Sequence, residues 1–336
     1  MDDALPPGKV PLDLLERFAL GRRGAERADV LVGPALGEDA AVVDFGESVA
    51  VLSSDPITGA ARNAGWLGVH VACNDIGAMG AEPVGVLVTL LLPPRGALGH
   101  LERIMSDVHR ACLDLGVAVL GGHSEVTAGL SEPILSLTAL GRAPRRRVVT
   151  SRGASPGDQI VLTKAAAIEG TAILATDFAD ELERELGAEV VRAGQRFYDE
   201  ISIVREAIAA AAAGASAMHD ATEGGVLGAL HELALAGGFG VRVRLEAIPR
   251  REVTDRICGY FSLDPLALVS SGALLLTAPK EKDVAAELRR QGFEATVIGD
   301  VTGTPERRLL LRGKSLPLFA PPRDELWRLL EERGGG

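Results

Sequence analysis

Carboxylates set beside small residues recur along the chain: Gly37-Glu38-Asp39-Ala40-Ala41, Ser53-Ser54-Asp55-Pro56-Ile57-Thr58, Asn74-Asp75, Gly121-Gly122-His123-Ser124-Glu125 and His219-Asp220-Ala221-Thr222-Glu223-Gly224-Gly225. Magnesium takes oxygen ligands and is commonly shared between a few carboxylates and the phosphates of a nucleotide. Gly, Ser and Thr let the chain come close to those phosphates. A fold that gathers these clusters would therefore have the donor set of a nucleotide–metal site. Taken one at a time they also suit turns, since Asp39 before Ala40 or Asp55 before Pro56 can bond its own backbone. Asn74 and Asp75 say more: they interrupt a mainly apolar helix, where an unpaired carboxylate is costly to bury.

Other chemistries find little support. No G-x-G-x-x-G follows a strand, and Gly313-Lys314-Ser315 has Arg308 where the first glycine of a Walker-type loop would stand. No G-x-S-x-G elbow occurs. Cys73, Cys112 and Cys258 are scattered, with no C-x-x-C pair and no His at ligand spacing, which argues against disulfides and zinc. If ATP binds, it binds in another way.

The elements that would position these residues alternate between periods. Short β-rich runs at 41–44, 49–53, 84–92, 117–120 and 134–140 are interleaved with helical patterns at 66–79 and 98–115; the second carries Leu101, Ile104, Val108, Cys112 and Leu115 on one face. Mixed helices and strands predict an α+β domain. The turn-rich stretch from Gly141 to Asp158 reads as a boundary, and Arg145-Arg146-Arg147 within it as a solvated turn. Beyond it the pattern resumes, with strands at 160–163, 217–219, 241–245, 273–277, 296–301 and 309–311, and helices at 190–213, 226–236 and 282–291. The domain expectation is 1–150, 151–320 and a tail, 321–336, that forms a short helix over 323–333 and frays at its glycines.

A chain of 336 residues with 47% apolar content supports two such cores. Its net charge of −11 repels nucleic-acid backbones and anionic lipid alike. The longest apolar run, Val84 to Leu92, is far short of a membrane span, and the amino terminus has no signal-like pattern, so a cytoplasmic protein without nucleic-acid or membrane partners is expected.

In order, Gly37-Glu38-Asp39-Ala40-Ala41, Ser54-Asp55, Asn74 to Pro83, Gly121-Gly122, Gly157-Asp158, Asp220 to Gly225, Ser270 to Leu274 and Val297 to Val301 resemble the aminoimidazole ribonucleotide (AIR) synthetase superfamily over residues 12 to 312. The branch it most resembles is that of the hydrogenase expression/formation (HypE-like) proteins. The resemblance implies a two-domain α+β fold, with an amino-terminal domain that forms a shared β-barrel in a homodimer and a carboxy-terminal α/β sandwich. It further implies ATP and magnesium as cofactors and a phosphoryl-transfer step on a small molecule. Carried over, Asp39, Asp55 and Asp75 match the magnesium positions, and Glu38 stands where an aspartate is common. Asn74 and Thr58 would position phosphates. Asp220, Thr222, Gly224 and Gly225 would line the pocket at a helix start, whose free amides favour an anion. Glu169-Gly170-Thr171 would form its lip.

Three departures shape the functional expectation. His123 replaces an acidic residue of the Gly-Gly-Asp-Thr pattern, with Glu125 two residues on; His123 and Glu125 are the candidate catalytic pair, a structural hydrogen bond being the alternative for His123. The chain ends Glu331-Glu332-Arg333-Gly334-Gly335-Gly336, without the terminal cysteine that hydrogenase-maturation proteins modify, and its amino-terminal arm lacks the cysteine of selenophosphate synthetases. The expectation is an ATP-dependent enzyme phosphorylating or dehydrating a small amide, carbamoyl or phosphate substrate. The alternatives are a thiamine-monophosphate-type kinase and a non-catalytic ATP-binding maturation or regulatory protein.

Overall fold

A computed structural model describes residues 12–15, 27–35, 37–57 and 62–334. Thr58, expected to position phosphates, lies outside these residues, as do the last two glycines.

After a short helix α1 (Leu12–Leu15), the chain builds a six-stranded sheet from β1 (Val30–Val32), β2 (Ala41–Asp44), β3 (Ser48–Ile57), β4 (Glu82–Leu92), β5 (Ala118–Val126) and β6 (Ile134–Pro144), in the order β1-β2-β3-β6-β4-β5. Within this sheet, among the described residues, only β4 and β5 pair parallel. Helices α2 (Ala64–Ala78) and α3 (Ala97–Leu115) cover one face. Alternation drives this packing: Val86, Val88, Leu90 and Leu92 of β4 and Leu135, Leu137 and Ala139 of β6 point into the core against Val69, Ala72, Cys73 and Ile76 of α2. The apolar stripe of α3 docks through Ile104, Val108 and Cys112, and the helix ends at Gly116 in the left-handed region.

The second sheet has seven strands: β7 (Gln159–Thr163), β8 (Ala217–Ala221), β9 (Gly240–Arg244), β10 (Ala273–Ala278), β11 (Ala295–Thr302), β12 (Arg307–Leu311) and β13 (Lys314–Pro317), ordered β13-β12-β9-β11-β7-β10-β8. Helix α8 (Gly225–Gly237) packs Val226, Leu230 and Leu233 on one face of it. Helices α7 (Val204–Ala213) and α10 (Val284–Arg290) pack Ala207, Ala210 and Leu288 on the other. A further cluster joins α4 (Ile168–Asp177), α5 (Ala179–Leu186), α6 (Ala188–Gln195), α9 (Glu252–Phe261) and the terminal α11 (Glu325–Glu332).

The structure differs from the sequence reading at several points. The single helix expected over 190–213 is interrupted at residues 201–203, where the backbone turns to α2: Asn74 Nδ2 donates to the Ile201 carbonyl at 2.9 Å and its Oδ1 accepts the Ile203 amide at 2.8 Å. Trp66 Nε1 adds a bond to the Tyr198 carbonyl at 2.9 Å, so this break is the joint between the two domains. Helix α4 escaped notice because Ile168 to Ala175 are all buried, which leaves no amphipathic stripe to read. Strand β5 runs on to Val126 and carries His123 and Glu125 along the edge of the first sheet.

Candidate metal and nucleotide site

The acidic residues converge where the first sheet meets the second domain. Asp39 arrives on the turn before β2. Gly37 there has φ +70°, and a Cβ on it would lie 2.8 Å from the Glu232 carbonyl oxygen, so only glycine lets this turn press against α8. Its neighbour Glu38 is held by Arg152, Oε1 to Nε 2.7 Å. Asp55 sits on the part of β3 that extends past β2 and pairs with β6 alone, which also explains why Pro56 is tolerated. Asp75 comes from the buried face of α2.

The Ser53 hydroxyl lies between two of these carboxylates, donating to Asp55 Oδ2 at 3.0 Å and in contact with Asp75 Oδ2. A hydroxyl has one proton to give, so it cannot satisfy two ionised carboxylates. Burial first, then the charges of Asp220, Asp55 and Asp39, push the Asp75 carboxyl well above the usual carboxylate range, against the Ser53 bond. Ionising Asp75 beside these carboxylates is therefore costly unless a cation offsets the charge.

From the second domain, β8 brings His219 and Asp220. His219 Nδ1 bonds Asp39 Oδ1, and its Nε2 lies 3.2 Å from Glu232 Oε2 on α8. Burial opposes charging of this ring, but Asp39 and Glu232 outweigh it and raise the imidazole well above its ordinary range. Asp39, His219 and Asp220 each offer one ligand atom, all within 4.8 Å of one another. Asp39 Oδ2 is buried without a hydrogen-bond partner, which suits a metal-ligand atom.

Asp39, Asp55, Asp75 and Asp220 are thus brought together. Asn74 is not: its amide is spent on Ile201 and Ile203 at the domain joint, so the phosphate-positioning expectation for it gives way to a structural duty. His123 and Glu125 also lie apart. They form a pair at 3.2 Å on exposed β5, in register with Thr89 and Leu91 on the sheet face away from α2, so within one chain they do not reach the cluster. The thiols do not contribute either: all three are buried, and burial pushes Cys73 and Cys258 up to about 12.

The expectation of free amides at the start of α8 needs correction too. Gly225 accepts its position because a Cβ would meet the Leu266 carbonyl oxygen at 2.5 Å, but the Gly224 amide is donated to Asp324 Oδ2 at 2.7 Å. Asp324 also caps α11 through the Leu326 amide at 2.8 Å. The short helix expected over 323–333 is thus present as α11 and is anchored over this loop. Burial pushes the Asp324 carboxyl up to about 7. Sequence reasoning missed His219 and Glu232 as site residues. The signal was available: His219 directly precedes Asp220, and Glu232 interrupts the apolar α8 as Asp75 interrupts α2.

Fold and site together define a two-domain α+β protein with a carboxylate cluster assembled from both halves. The N-terminal domain model of the AIR synthase related proteins matches residues 37–143 and the C-terminal domain model matches 155–312. The chain belongs to this family. It is 27% identical over 301 residues to the carbamoyl dehydratase HypE of Rhodobacter capsulatus, covering 87% of this chain and 86% of the relative. It is 30% identical over 319 residues to the selenide, water dikinase of Escherichia coli O9:H4, covering 81% and 85%. The crystal structure of a hydrogenase maturation protein HypE in complex with ATP superposes with a TM-score of 0.67 at 21% identity over 94% of each chain, which establishes the shared fold. Among the described residues, no helix is long and apolar enough to cross a membrane.

Proposed function

We propose that this chain is an ATP-dependent, magnesium-assisted enzyme that phosphorylates or dehydrates a small amide, carbamoyl or phosphate-bearing molecule. The observation that carries the reading is the gathering of carboxylates around the buried Asp75: Ser53 touches both it and Asp55, and the charges of Asp220, Asp55 and Asp39 act on it together with its burial. Such a cluster is stable in its ionised form only around a cation. The donors are all carboxylate oxygens, with a serine hydroxyl between two of them, which suits magnesium. Asp39, Asp55 and Asp75 would hold the ion, which when bound neutralises charge on the transferring phosphoryl group. The ATP complex of a HypE of the same fold and the carbamoyl dehydratase name of a relative support the choice of nucleotide and of acceptor class.

The chain's own residues then orient and exclude. Ser53 aligns Asp55 and Asp75, and His219 fixes Asp39. Gly37 and Arg152 close the turn from solvent. His123 and Glu125 enter only through a second copy. The outer face and edge of the first sheet expose Leu87, Val119, Leu120, Val126 and Ile134, an unpaired apolar surface that a homodimer would cover. In that dimer, His123 and Glu125 lie at the interface, where the imidazole can serve as a proton acceptor.

The reading is tested by calorimetric titration with ATP. Magnesium–ATP at a hundred times its Kd should stabilise the fold by about 2.7 kcal/mol, and EDTA should abolish the effect. No measurable affinity up to millimolar ATP would overturn it.

A further inference from the structure

We infer that Asp39, His219 and Asp220 form a second cation site, adjoining the carboxylate trio and built for a divalent first-row transition metal such as manganese. It rests on reading the cluster as cation-binding and differs in calling for a nitrogen donor. One imidazole nitrogen and two carboxylate oxygens come within 4.8 Å of one another, which leaves several coordination positions open. Magnesium has little use for nitrogen, whereas imidazole with carboxylates suits manganese, cobalt and zinc.

The surroundings of the three donors match such a site. A metal-bound histidine typically donates its other ring N–H to a carboxylate, which fixes the tautomer and aims the free lone pair. Glu232 Oε2 stands 3.2 Å from His219 Nε2 in that position, leaving Nδ1 turned toward Asp39. Asp39 keeps one oxygen on the His219 side, while its second is buried without a hydrogen-bond partner. Asp39 would thereby be shared by the two sites. The donors also span the domains, Asp39 from the first and His219 with Asp220 from β8 of the second.

The test uses the full chain stripped with chelator and titrated with manganese, without nucleotide, in excess magnesium. Expected is one manganese ion that resists the magnesium and shows nitrogen hyperfine coupling in pulsed electron paramagnetic resonance. Glu232→Gln should weaken it about 10–100-fold with the coupling retained, as for loss of an outer-shell partner. His219→Ala should remove the coupling and weaken binding further; melting curves check that it folds, and Glu232→Gln carries the test if it does not. Manganese bound without nitrogen coupling, or affinity unchanged in both variants, would overturn the inference and make His219 an imidazolium brace between Asp39 and Glu232. If magnesium–ATP binds while the coupling is absent, only this inference fails. A nitrogen-coupled manganese in a protein with no ATP affinity would instead refute the proposed ATP chemistry.

Discussion

Replacing Asp75 by asparagine keeps the shape of the side chain and removes its charge. Asp55 and Asp75 both touch the Ser53 hydroxyl, 3.0 Å away on the Asp55 side. Their nearest oxygens therefore lie within about 5 Å, where two like charges repel by about 3 kcal/mol at an effective dielectric constant of ~20. In mildly alkaline buffer with EDTA, Asp75→Asn should accordingly be more stable than the parent, by up to about 3 kcal/mol. At about 2–4 °C per kcal/mol that is a rise in Tm of several degrees. With magnesium–ATP the order of ligand response reverses. Losing one electrostatic stabiliser is worth on the order of a hundredfold. At a ligand concentration giving the parent about 2.7 kcal/mol, the variant sits near its own Kd and gains only about 0.4 kcal/mol. Paired melting curves in EDTA and in magnesium–ATP read both effects. A variant that is less stable in EDTA yet responds equally to magnesium–ATP would refute the reasoning, because Asp75 would then be a hydrogen-bonding residue of the fold and not a metal ligand.

Asn74→Ala should do the opposite, costing about 2–4 kcal/mol by stranding the buried Ile201 carbonyl and Ile203 amide, while calorimetry finds the ATP affinity of the folded protein within a few fold of the parent. Asp324 has a folded-state pKa of about 7, above its unfolded value, so its contribution is fully present below pH ~4 and is lost as pH rises toward 7. Measured against Asp324→Asn by chemical denaturation, the parent should lose about 1.4 kcal/mol per pH unit between pH ~4 and ~7 and level off above; a flat difference would refute this. Leu87→Glu, on the exposed outer face of the first sheet, should shift light-scattering mass from dimer to monomer with little loss of monomer stability, and an unchanged mass would exclude that face as the interface.

Much of this architecture could be read from residue types. The alternation in β4 and β6 and the stripe of α3 marked the first core, and the polar interruption of α2 at Asp75 marked the site. What escaped notice depends on tertiary contacts. The break at Ile201–Ile203 exists because Asn74 claims that backbone, and no local propensity announces a partner 127 residues away. Gly224 reads locally as an open helix start, yet Asp324, 100 residues on, takes its amide. His123 and Glu125 follow the Gly-Gly pair where the sequence departs from the Gly-Gly-Asp-Thr pattern, and strand register turns them away from the cluster, since face assignment along β5 depends on its pairing with β4.

Asp39, Asp55 and Asp75 belong to one domain and Asp220 to the other, so like charges face each other across the joint that the Asn74 and Trp66 bonds hold. At low salt, where screening extends over ~30 Å, that repulsion would load those bonds like a compressed spring. On the proposed reading a bound cation would relieve the load, and the compactness of the protein in solution would then report how much of the cluster is occupied.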